Sequence, residues 1–302
     1  MNYRIIYNNF MGTKVKTILE KIHNRLKAEC IWAKNGIYTQ FVYNCRKPLM
    51  VFKPTHLGGA SIGFCDVAVV AFNNSGVVEY QIRSLKKFFE YPFRYTVYDN
   101  STKENISQEI LAICKKYDVG YVKLPKQEFL PKGWGSYSHG IACNYLFNKF
   151  VKNGGAKYFM LLDHDLFLVD KFDISKQFDS QFFYGTKHGF YIWPGLWAMP
   201  MERLLKYGVD FRPSLHLRGD TGARNYYRHF KGLDWDRYHI VKDVHCFLDD
   251  TDNDIFRNGY SLMDDRWLHC WNASDYMGKG VDNKMRRIYQ MLEDKLKLVS
   301  TF

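Results

Sequence analysis

The feature that most constrains the fold is a regular alternation of short apolar segments and amphipathic segments that begins near Cys65. The apolar segments have the length and composition of buried strands, and the amphipathic ones have helical spacing. The predicted strands cover 66–72, 93–98, 119–124 and 157–162, and the helices between them cover 77–91, 106–117 and 138–151. This alternation is typical of a mostly parallel sheet with helices on both faces, so the sequence predicts an α/β fold.

The first 64 residues lack this alternation and are predicted to be an N-terminal extension, with an amphipathic helix and short strands or a hairpin. Residues 14–29 have basic side chains on most faces and apolar side chains at helical spacing, namely Val15, Ile18, Leu19, Ile22 and Leu26. We favour packing of this apolar side on the main domain, which is predicted to span 65–302. The alternative is peripheral docking on an anionic membrane surface, as basic amphipathic helices also do.

The composition restricts the partners and the compartment. The formal net charge of +12 indicates an anionic partner, such as a nucleotide diphosphate, an acidic lipid headgroup or a nucleic acid. No nucleic-acid-binding motif accompanies this charge, so nucleic acid is not expected. The seven cysteines form no CxxC pair, which argues against a zinc ribbon. Because no signal-peptide pattern and no run of about 18 apolar residues is present, we expect a cytoplasmic protein.

Two carboxylates, Asp163 and Asp165, directly follow the fourth predicted strand. The side-chain period of an extended chain is two, so both are expected on the same side of the backbone. Such a pair can hold a divalent cation through its oxygen atoms, and the cation can neutralise a departing diphosphate. The alternative is a pair of solvated carboxylates at a strand end.

Polar residues also follow the first and second predicted strands. Asn73 and Asn74 come after Phe72, and Asp99 closes the second strand. Ligands of open parallel sheets bind beyond the carboxyl ends of the strands, so these amide and carboxylate groups are candidates for contacts with a nucleoside. The alternative for each is a turn-forming role.

This order of segments resembles the nucleotide-binding half of the GT-A glycosyltransferases, particularly the large inverting family that includes cellulose- and capsule-type synthases. The matching features are the polar ends of the first two strands, the helix segment 138–144, and the Asp163-His164-Asp165 motif. The resemblance implies a Rossmann-like GT-A fold, with a nucleotide-binding half over 65–170 and an acceptor-side half over 171–302. It also implies Mn²⁺ or Mg²⁺ as cofactor.

The resemblance further implies a nucleotide-diphosphate sugar as donor, most often a UDP-sugar, and transfer with inversion to a hydroxyl of a glycan or lipid-linked acceptor. The nucleotide-binding residues that it implies are Phe72, Asn73, Asn74, Asp99, Asn144 and Asp163. The implied metal ligands are Asp163, Asp165 and the later His269, although a lone histidine is more often structural. An imidazole beside oxygen ligands suits Mn²⁺.

Two further segments match the order of the family's motifs. The first, 191–200, places Gly195 where it would lie beneath the donor sugar, with Trp193 and Trp197 able to stack on sugar faces. Ordinary core packing of the two tryptophans is equally expected. The second segment carries Asp220, which we expect to be the base that deprotonates the acceptor hydroxyl.

Other assignments remain open from the sequence alone. Asp220 has the alternative of a turn or helix N-cap role, and the competing acids are Asp249, Asp250, Asp264 and Asp265. A phosphohydrolase of the haloacid-dehalogenase type shares an apolar strand followed by two aspartates, although the residues after Asp165 do not match its motif. A catalytically silent domain that binds a sugar or nucleotide is the non-enzymatic alternative.

Overall fold

The computed structural model describes residues 18–23, 26, 27, 30, 34, 47–53, 63–125, 135–214 and 216–297. The chain forms two compact units. The first comprises residues 1–46 with 127–133, and the second comprises 47–126 with 134–302. Among the described residues, no helix is long and apolar enough to cross a membrane.

The described residues of the first unit are helical and exposed. Ile18, Leu19, Ile22 and Leu26 are between 50% and 60% exposed. These four side chains are accessible, and packing of this helix on the main domain stays a prediction. Val15 and most of the predicted strands and turns of 30–63 lie outside the described residues.

The second unit is built on a seven-stranded sheet with the order β1-β4-β3-β2-β5-β8-β7. Its strands are β1 (Met50–Phe52), β2 (Cys65–Ala71), β3 (Phe93–Asp99), β4 (Gly120–Lys123), β5 (Tyr158–Asp163), β7 (Tyr184–His188) and β8 (Tyr191–Pro200). The four central strands, β4-β3-β2-β5, are parallel, whereas β1, β8 and β7 add antiparallel pairs at the two edges. The predicted α/β fold with a mostly parallel central sheet is confirmed.

A second, four-stranded antiparallel sheet has the order β6-β11-β10-β9. Its strands are β6 (Leu166–Leu168), β9 (Asp243–Phe247), β10 (Gly259–Met263) and β11 (Trp267–His269). The strand β6 begins three residues after β5 ends, so the turn at Asp163-His164-Asp165 joins the two sheets.

The helices are α1 (Ser75–Phe88), α2 (Glu104–Lys116), α3 (Gly135–Leu146), α4 (Met201–Tyr207), α5 (Ile255–Asn258) and α6 (Asp282–Lys297). A π-helical turn, Phe147–Val151, extends α3 and accounts for the predicted end at residue 151. Crossovers between parallel strands are right-handed, so α1 and α2 cover one face and α3 the other. The reversal of strand order between β2 and β5 is the switch point at which ligands of such sheets bind.

A buried ion pair fixes the ends of β3 and β4 beside this switch point. Lys123 Nζ donates to Asp99 Oδ2 at 3.0 Å, to Ser101 O at 2.8 Å and to Ser107 Oγ at 2.6 Å. Asp99 also accepts from Tyr121 Oη at 2.9 Å and from the Ser101 N–H at 2.8 Å. All three ammonium protons and both carboxylate oxygens therefore have partners inside the protein.

We expect Lys123→Met to lower the free energy of unfolding by about 3–5 kcal/mol, because it leaves the Asp99 carboxylate buried without a counter-charge. The measurement is urea denaturation followed by far-UV circular dichroism. Lys116→Met is the matched control, since Lys116 makes an exposed ion pair with Glu79 at 2.7 Å, and it should leave the midpoint unchanged. Equal midpoints for the two variants would contradict a structural role for the Asp99–Lys123 pair.

Candidate metal centre

Asp163, Asp165 and His269 come together at the junction of the two sheets. Asp163 ends β5, Asp165 precedes β6, and His269 ends β11. One ligand atom from each residue lies within 4.8 Å of the others. His269 Nε2 is 3.4 Å from Asp165 Oδ1. The three residues that the sequence nominated as metal ligands therefore face one point.

The backbone of the turn is fixed by side chains of α1 and by backbone bonds. Gln81, which is fully buried, donates from Nε2 to Asp163 O at 2.7 Å and to Leu166 O at 2.6 Å. The Cys270 N–H donates to Asp165 O at 2.8 Å, which ties the turn to the end of β11. His164 faces away from the cluster, with Nδ1 3.3 Å from Val70 O. The period of two thus separates His164 from the two carboxylates.

Burial and neighbouring charges shift the pKa values of the two carboxylates in opposite directions. For Asp165, burial by itself would raise the pKa, but the hydrogen bond and charge of His269, the charge of His164 and the Ala273 N–H outweigh it and lower the pKa to about 2. For Asp163, burial raises the pKa above its ordinary value, with a further increase from the charge of Asp165. Asp165 is therefore anionic at neutral pH.

A second histidine that the sequence did not nominate stands at this site. His139 on α3 has Nε2 3.7 Å from Asp163 Oδ1, and its side chain is 24% exposed. The sequence contained it within the helix segment 138–144, which matched the family motif, but nothing in that pattern distinguished it from its neighbours. Three imidazoles therefore lie at or near the turn. His164 is part of the turn, His269 lies beside Asp165, and His139 lies beside Asp163.

The residues present fit a divalent cation. Oxygen ligands of such cations lie at about 2.0–2.6 Å, so two ligands of one ion are separated by at most about twice that distance, and the cluster meets this limit. His269 Nδ1 is buried and has no hydrogen-bond partner among the described residues. The other ring nitrogen, Nε2, is the one that faces Asp165 and the cluster, so Nε2 is the candidate ligand atom and Nδ1 points away from the site. Two carboxylates with one imidazole are a donor set that suits Mn²⁺ as well as Mg²⁺.

The three residues at the end of β2 are engaged within the chain. The Asn73 Oδ1 accepts from the N–H groups of Thr102 and Lys103, at 3.0 and 3.2 Å. Asn74 caps α1 through Val77 N and donates to Ala273 O at 2.7 Å. The carbonyl of Phe72 accepts from Ser274 Oγ at 2.6 Å. These residues lie at the switch point, as expected, but their bonds hold the surrounding loops together.

Two of the remaining predicted nucleotide contacts, Asp99 and Asn144, are likewise occupied. Asp99 is fully buried in its bonds to Lys123, Tyr121 and the Ser101 N–H, so a nucleobase could reach this carboxylate only by an exchange of partners. Asn144 on α3 accepts from the Phe211 N–H at 2.8 Å and donates to Asp210 Oδ1 at 3.1 Å. Asn144 thereby anchors the segment that leads to Asp220.

The aromatic segment of β8 divides into a half-buried and a buried part. The Trp193 ring lies beside the metal cluster, 5.0 Å between centroids from His269. A Cβ at Gly195 would fall 2.0 Å from the Trp193 ring, so this glycine makes room for that ring. Trp197 is fully buried against Phe159 and Phe211. A sugar cannot stack on it, which agrees with the core-packing alternative for this residue.

Asp220 is exposed, and its loop is hydrogen-bonded to α3. Burial, followed by the negative charge of Asp220, raises the pKa of Tyr191, and Thr221 Oγ1 donates to Ser136 O at 2.9 Å. Desolvation, followed by the negative charges of Asp165, Asp163 and Asp220, raises the pKa of Tyr276. The negative charges of all three carboxylates therefore act on the Tyr276 phenol.

Two of the competing acids, Asp249 and Asp264, are bonded to other residues. Asp249 pairs with Arg287 and accepts from the Thr251 N–H at 3.0 Å. Asp264 lies 2.6 Å from His239 Nε2 and accepts from the Lys242 N–H at 2.9 Å. These partners hold surface turns, so neither acid replaces Asp220 as the candidate base.

No family model and no curated protein matches the chain. Solved structures resemble it in part. The mannosyltransferase PcManGT from Pyrobaculum calidifontis, in complex with GDP-Man and Mn²⁺, is 11% identical with a TM-score of 0.36, over 60% of this chain and 55% of that chain. TarS from S. aureus is 14% identical with a TM-score of 0.35, over 49% of this chain and 30% of that chain. Similarity at this level carries no conclusion about the function of this chain.

We expect Asp165→Asn to weaken Mn²⁺ binding at least about tenfold, because even the loss of an outer-shell partner of a metal ligand typically has that effect. Electron paramagnetic resonance of free Mn²⁺ during titration measures the affinity. Asp170→Asn is the control, because Asp170 is exposed and, within the described part of the chain, its carboxylate accepts a hydrogen bond only from the neighbouring Lys171 N–H. Equal Mn²⁺ affinity of Asp165→Asn and the unmodified protein would exclude this metal site.

Proposed function

We propose that the protein is a metal-dependent glycosyltransferase that transfers a sugar from a nucleotide-diphosphate sugar to a hydroxyl of a glycan or lipid-linked acceptor. The observation that carries this proposal is the convergence of Asp163, Asp165 and His269 at the switch point of a mostly parallel sheet. This is the position at which such sheets bind nucleotides. The order of motifs along the chain, which resembles that of the GT-A glycosyltransferases, supports it.

Asp163, Asp165 and His269 would hold the cation, which supplies positive charge to the leaving diphosphate. Gln81 keeps the turn in place, so the carboxylates need no rearrangement to bind. Trp193 offers its ring beside the cluster for the donor sugar. Asp220 would accept the proton of the acceptor hydroxyl as that oxygen attacks the anomeric carbon, and this direct displacement inverts the configuration.

The finer assignments belong to the same proposal. UDP is the proposed nucleotide, Mn²⁺ the proposed cation, and the capsule- and cellulose-type family the proposed affiliation, all on the resemblance of the motifs. Nucleoside contacts by Phe72, Asn73, Asn74 and Asp99 stay a prediction that requires these residues to exchange their present partners. The cytoplasm is the proposed compartment.

The reaction can be tested by mass-spectrometric detection of free nucleotide diphosphate from a panel of nucleotide sugars, with Mn²⁺, Mg²⁺ or EDTA. We expect slow release from one donor, and we expect EDTA or Asp165→Ala to abolish it. Absence of release from every donor, together with absence of nucleotide binding by calorimetry, would favour the silent-domain or phosphohydrolase alternatives.

In the same assay with acceptor, Asp220→Asn should retain donor binding and reduce transfer about 10²–10⁴-fold, the usual contribution of a positioned base. Asp236→Asn is the matched control, because Asp236 is an exposed aspartate of the same half of the chain, and it should transfer normally. Full transfer by Asp220→Asn would show that another group takes the proton.

We also propose that the helix within 14–29 contacts an anionic membrane surface. Its described apolar side chains Ile18, Leu19, Ile22 and Leu26 are accessible, and the sequence places Lys14, Lys16, Lys21, Arg25 and Lys27 around them. Apolar side chains on one face with lysine and arginine on the others favour the headgroup region of anionic lipids.

We expect the protein to sediment with phosphatidylglycerol vesicles and not with phosphatidylcholine vesicles. The double substitution Leu19→Gln with Ile22→Gln should weaken this partition at least about tenfold, because burial of each such side chain contributes roughly 1.5–3 kcal/mol. Leu205→Gln is the control, since Leu205 on α4 is 52% exposed. Unchanged partition of the double variant would rule out membrane contact through this helix.

A further inference from the structure

One face of the second sheet carries a row of side chains that runs from the metal centre to the open edge of that sheet. His269 on β11 pairs with Ser261 on β10, and Ser261 pairs with His245 on β9. Directly paired residues of neighbouring strands project to the same face. The row therefore extends over two interstrand spacings, or about 10 Å, from the candidate ligand His269 to His245.

Trp271 covers the middle of this row. Its Nε1 donates to Ser261 Oγ at 2.8 Å, and its carbonyl oxygen accepts from Lys284 Nζ at 2.6 Å. The Trp271 ring is 4.5 Å from the His269 ring and 5.8 Å from the His245 ring, measured between centroids. The indole is thus held in one orientation between the two histidines.

Four rings lie in contact one after another, Trp193, His269, Trp271 and His245, and we name them the aromatic platform. His269 is buried, whereas Trp193 and Trp271 are half-buried and His245 is exposed. The inner end of the platform is the candidate active site. Its outer end is accessible, because the His245 side chain is 56% exposed and β9 is the edge strand of the sheet. A ligand bound at the metal centre can therefore extend along the platform towards solvent.

The residues at the outer end combine rings with hydrogen-bonding groups. Along β9, residues 243, 245 and 247 alternate onto the platform face. Phe247 is 43% exposed, and its partner Gly259 has no side chain to cover it. Asp243 supplies a carboxylate, 3.8 Å from His245 Nε2. A lipid chain would favour an uninterrupted apolar surface, whereas rings interleaved with polar groups suit sugars, which have an apolar C–H face and a rim of hydroxyls.

We infer that the outer part of the aromatic platform, Trp271 and His245, binds the acceptor as a carbohydrate chain of at least two sugar units. The terminal sugar would lie at Asp220 and the metal cluster, and the preceding sugars would lie on Trp271 and His245. This inference rests on the proposed glycosyltransferase function and goes beyond it, because it assigns the acceptor class and a minimum acceptor length to named residues outside the metal centre.

The test compares His245→Ala with Val244→Ala. Val244 is the adjacent residue of β9, is 55% exposed and projects to the opposite face, so it controls for general effects on the edge strand. The measurements are kcat and KM with gluco-, galacto- and manno-oligosaccharides of one to four units, and donor hydrolysis without acceptor. Tryptophan fluorescence during titration with the same oligosaccharides gives binding directly.

We expect His245→Ala to raise KM, and the dissociation constant from fluorescence, about two- to tenfold for chains of two or more units, the range for loss of one ring contact. Values for single sugars, and donor hydrolysis, should not change. Phe247→Ala should shift the same constants in the same direction. Val244→Ala should behave like the unmodified protein.

The possible outcomes distinguish failure of the proposed function from failure of the acceptor site. Absence of donor hydrolysis in the unmodified protein would count against the proposed function itself. Intact donor hydrolysis with equal constants for His245→Ala and Val244→Ala at every chain length would overturn the platform alone. An equal loss in both variants would indicate that the edge of β9 binds its partner as a paired strand, which would also overturn it.

Discussion

The candidate site depends on the hydrogen bonds of one buried amide, Gln81. Its Nε2 donates to Asp163 O and Leu166 O, and its Oε1 accepts from Tyr95 Oη at 2.5 Å. The two carbonyls flank the turn that carries the metal-facing carboxylates. Loss of the Gln81 amide would leave the buried Leu166 carbonyl without this hydrogen bond, at a cost of about 1–3 kcal/mol. Ser84, one helical turn later, accepts from the Leu168 N–H at 3.2 Å. Helix α1 therefore fixes the turn between β5 of the main sheet and β6 of the second sheet.

The position of His269 follows from that junction. The register of the second sheet pairs His269 with Leu166, the residue after Asp165. A slip of one residue in this pairing would turn His269 to the other face of the sheet and away from the carboxylates. The ligand set, although its members are about a hundred residues apart in sequence, is therefore determined by one turn and one strand pairing.

The sequence was sufficient to predict the strands of the central sheet and the position of Asp163 and Asp165 beyond the end of β5, because these depend on local alternation. His269 was named only through the resemblance, since its approach to the two carboxylates depends on the pairing of β11 with β6. The sequence could not reveal which polar ends the chain itself would occupy. Asp99 is neutralised by Lys123, and Asn74 is held by Ala273, contacts that only the tertiary structure creates. Gln81 did leave a signal, since Gln81 and Ser84 are the two polar residues on a buried helix face that otherwise consists of apolar side chains.

Tertiary contacts also connect the exposed loop of the proposed base, Asp220, to the candidate metal centre at the junction of the sheets. Helix α3 carries His139 beside Asp163 and Asn144 beside Phe211. The helix also approaches the loop closely at Gly140, where a Cβ would fall 2.5 Å from the Phe211 carbonyl oxygen. Displacement at the anomeric carbon requires the base and the leaving group to keep a fixed separation. Helix α3 contacts both the Asp163 carboxylate and the segment that leads to Asp220, so it is the element of the fold that connects the proposed base to the metal cluster.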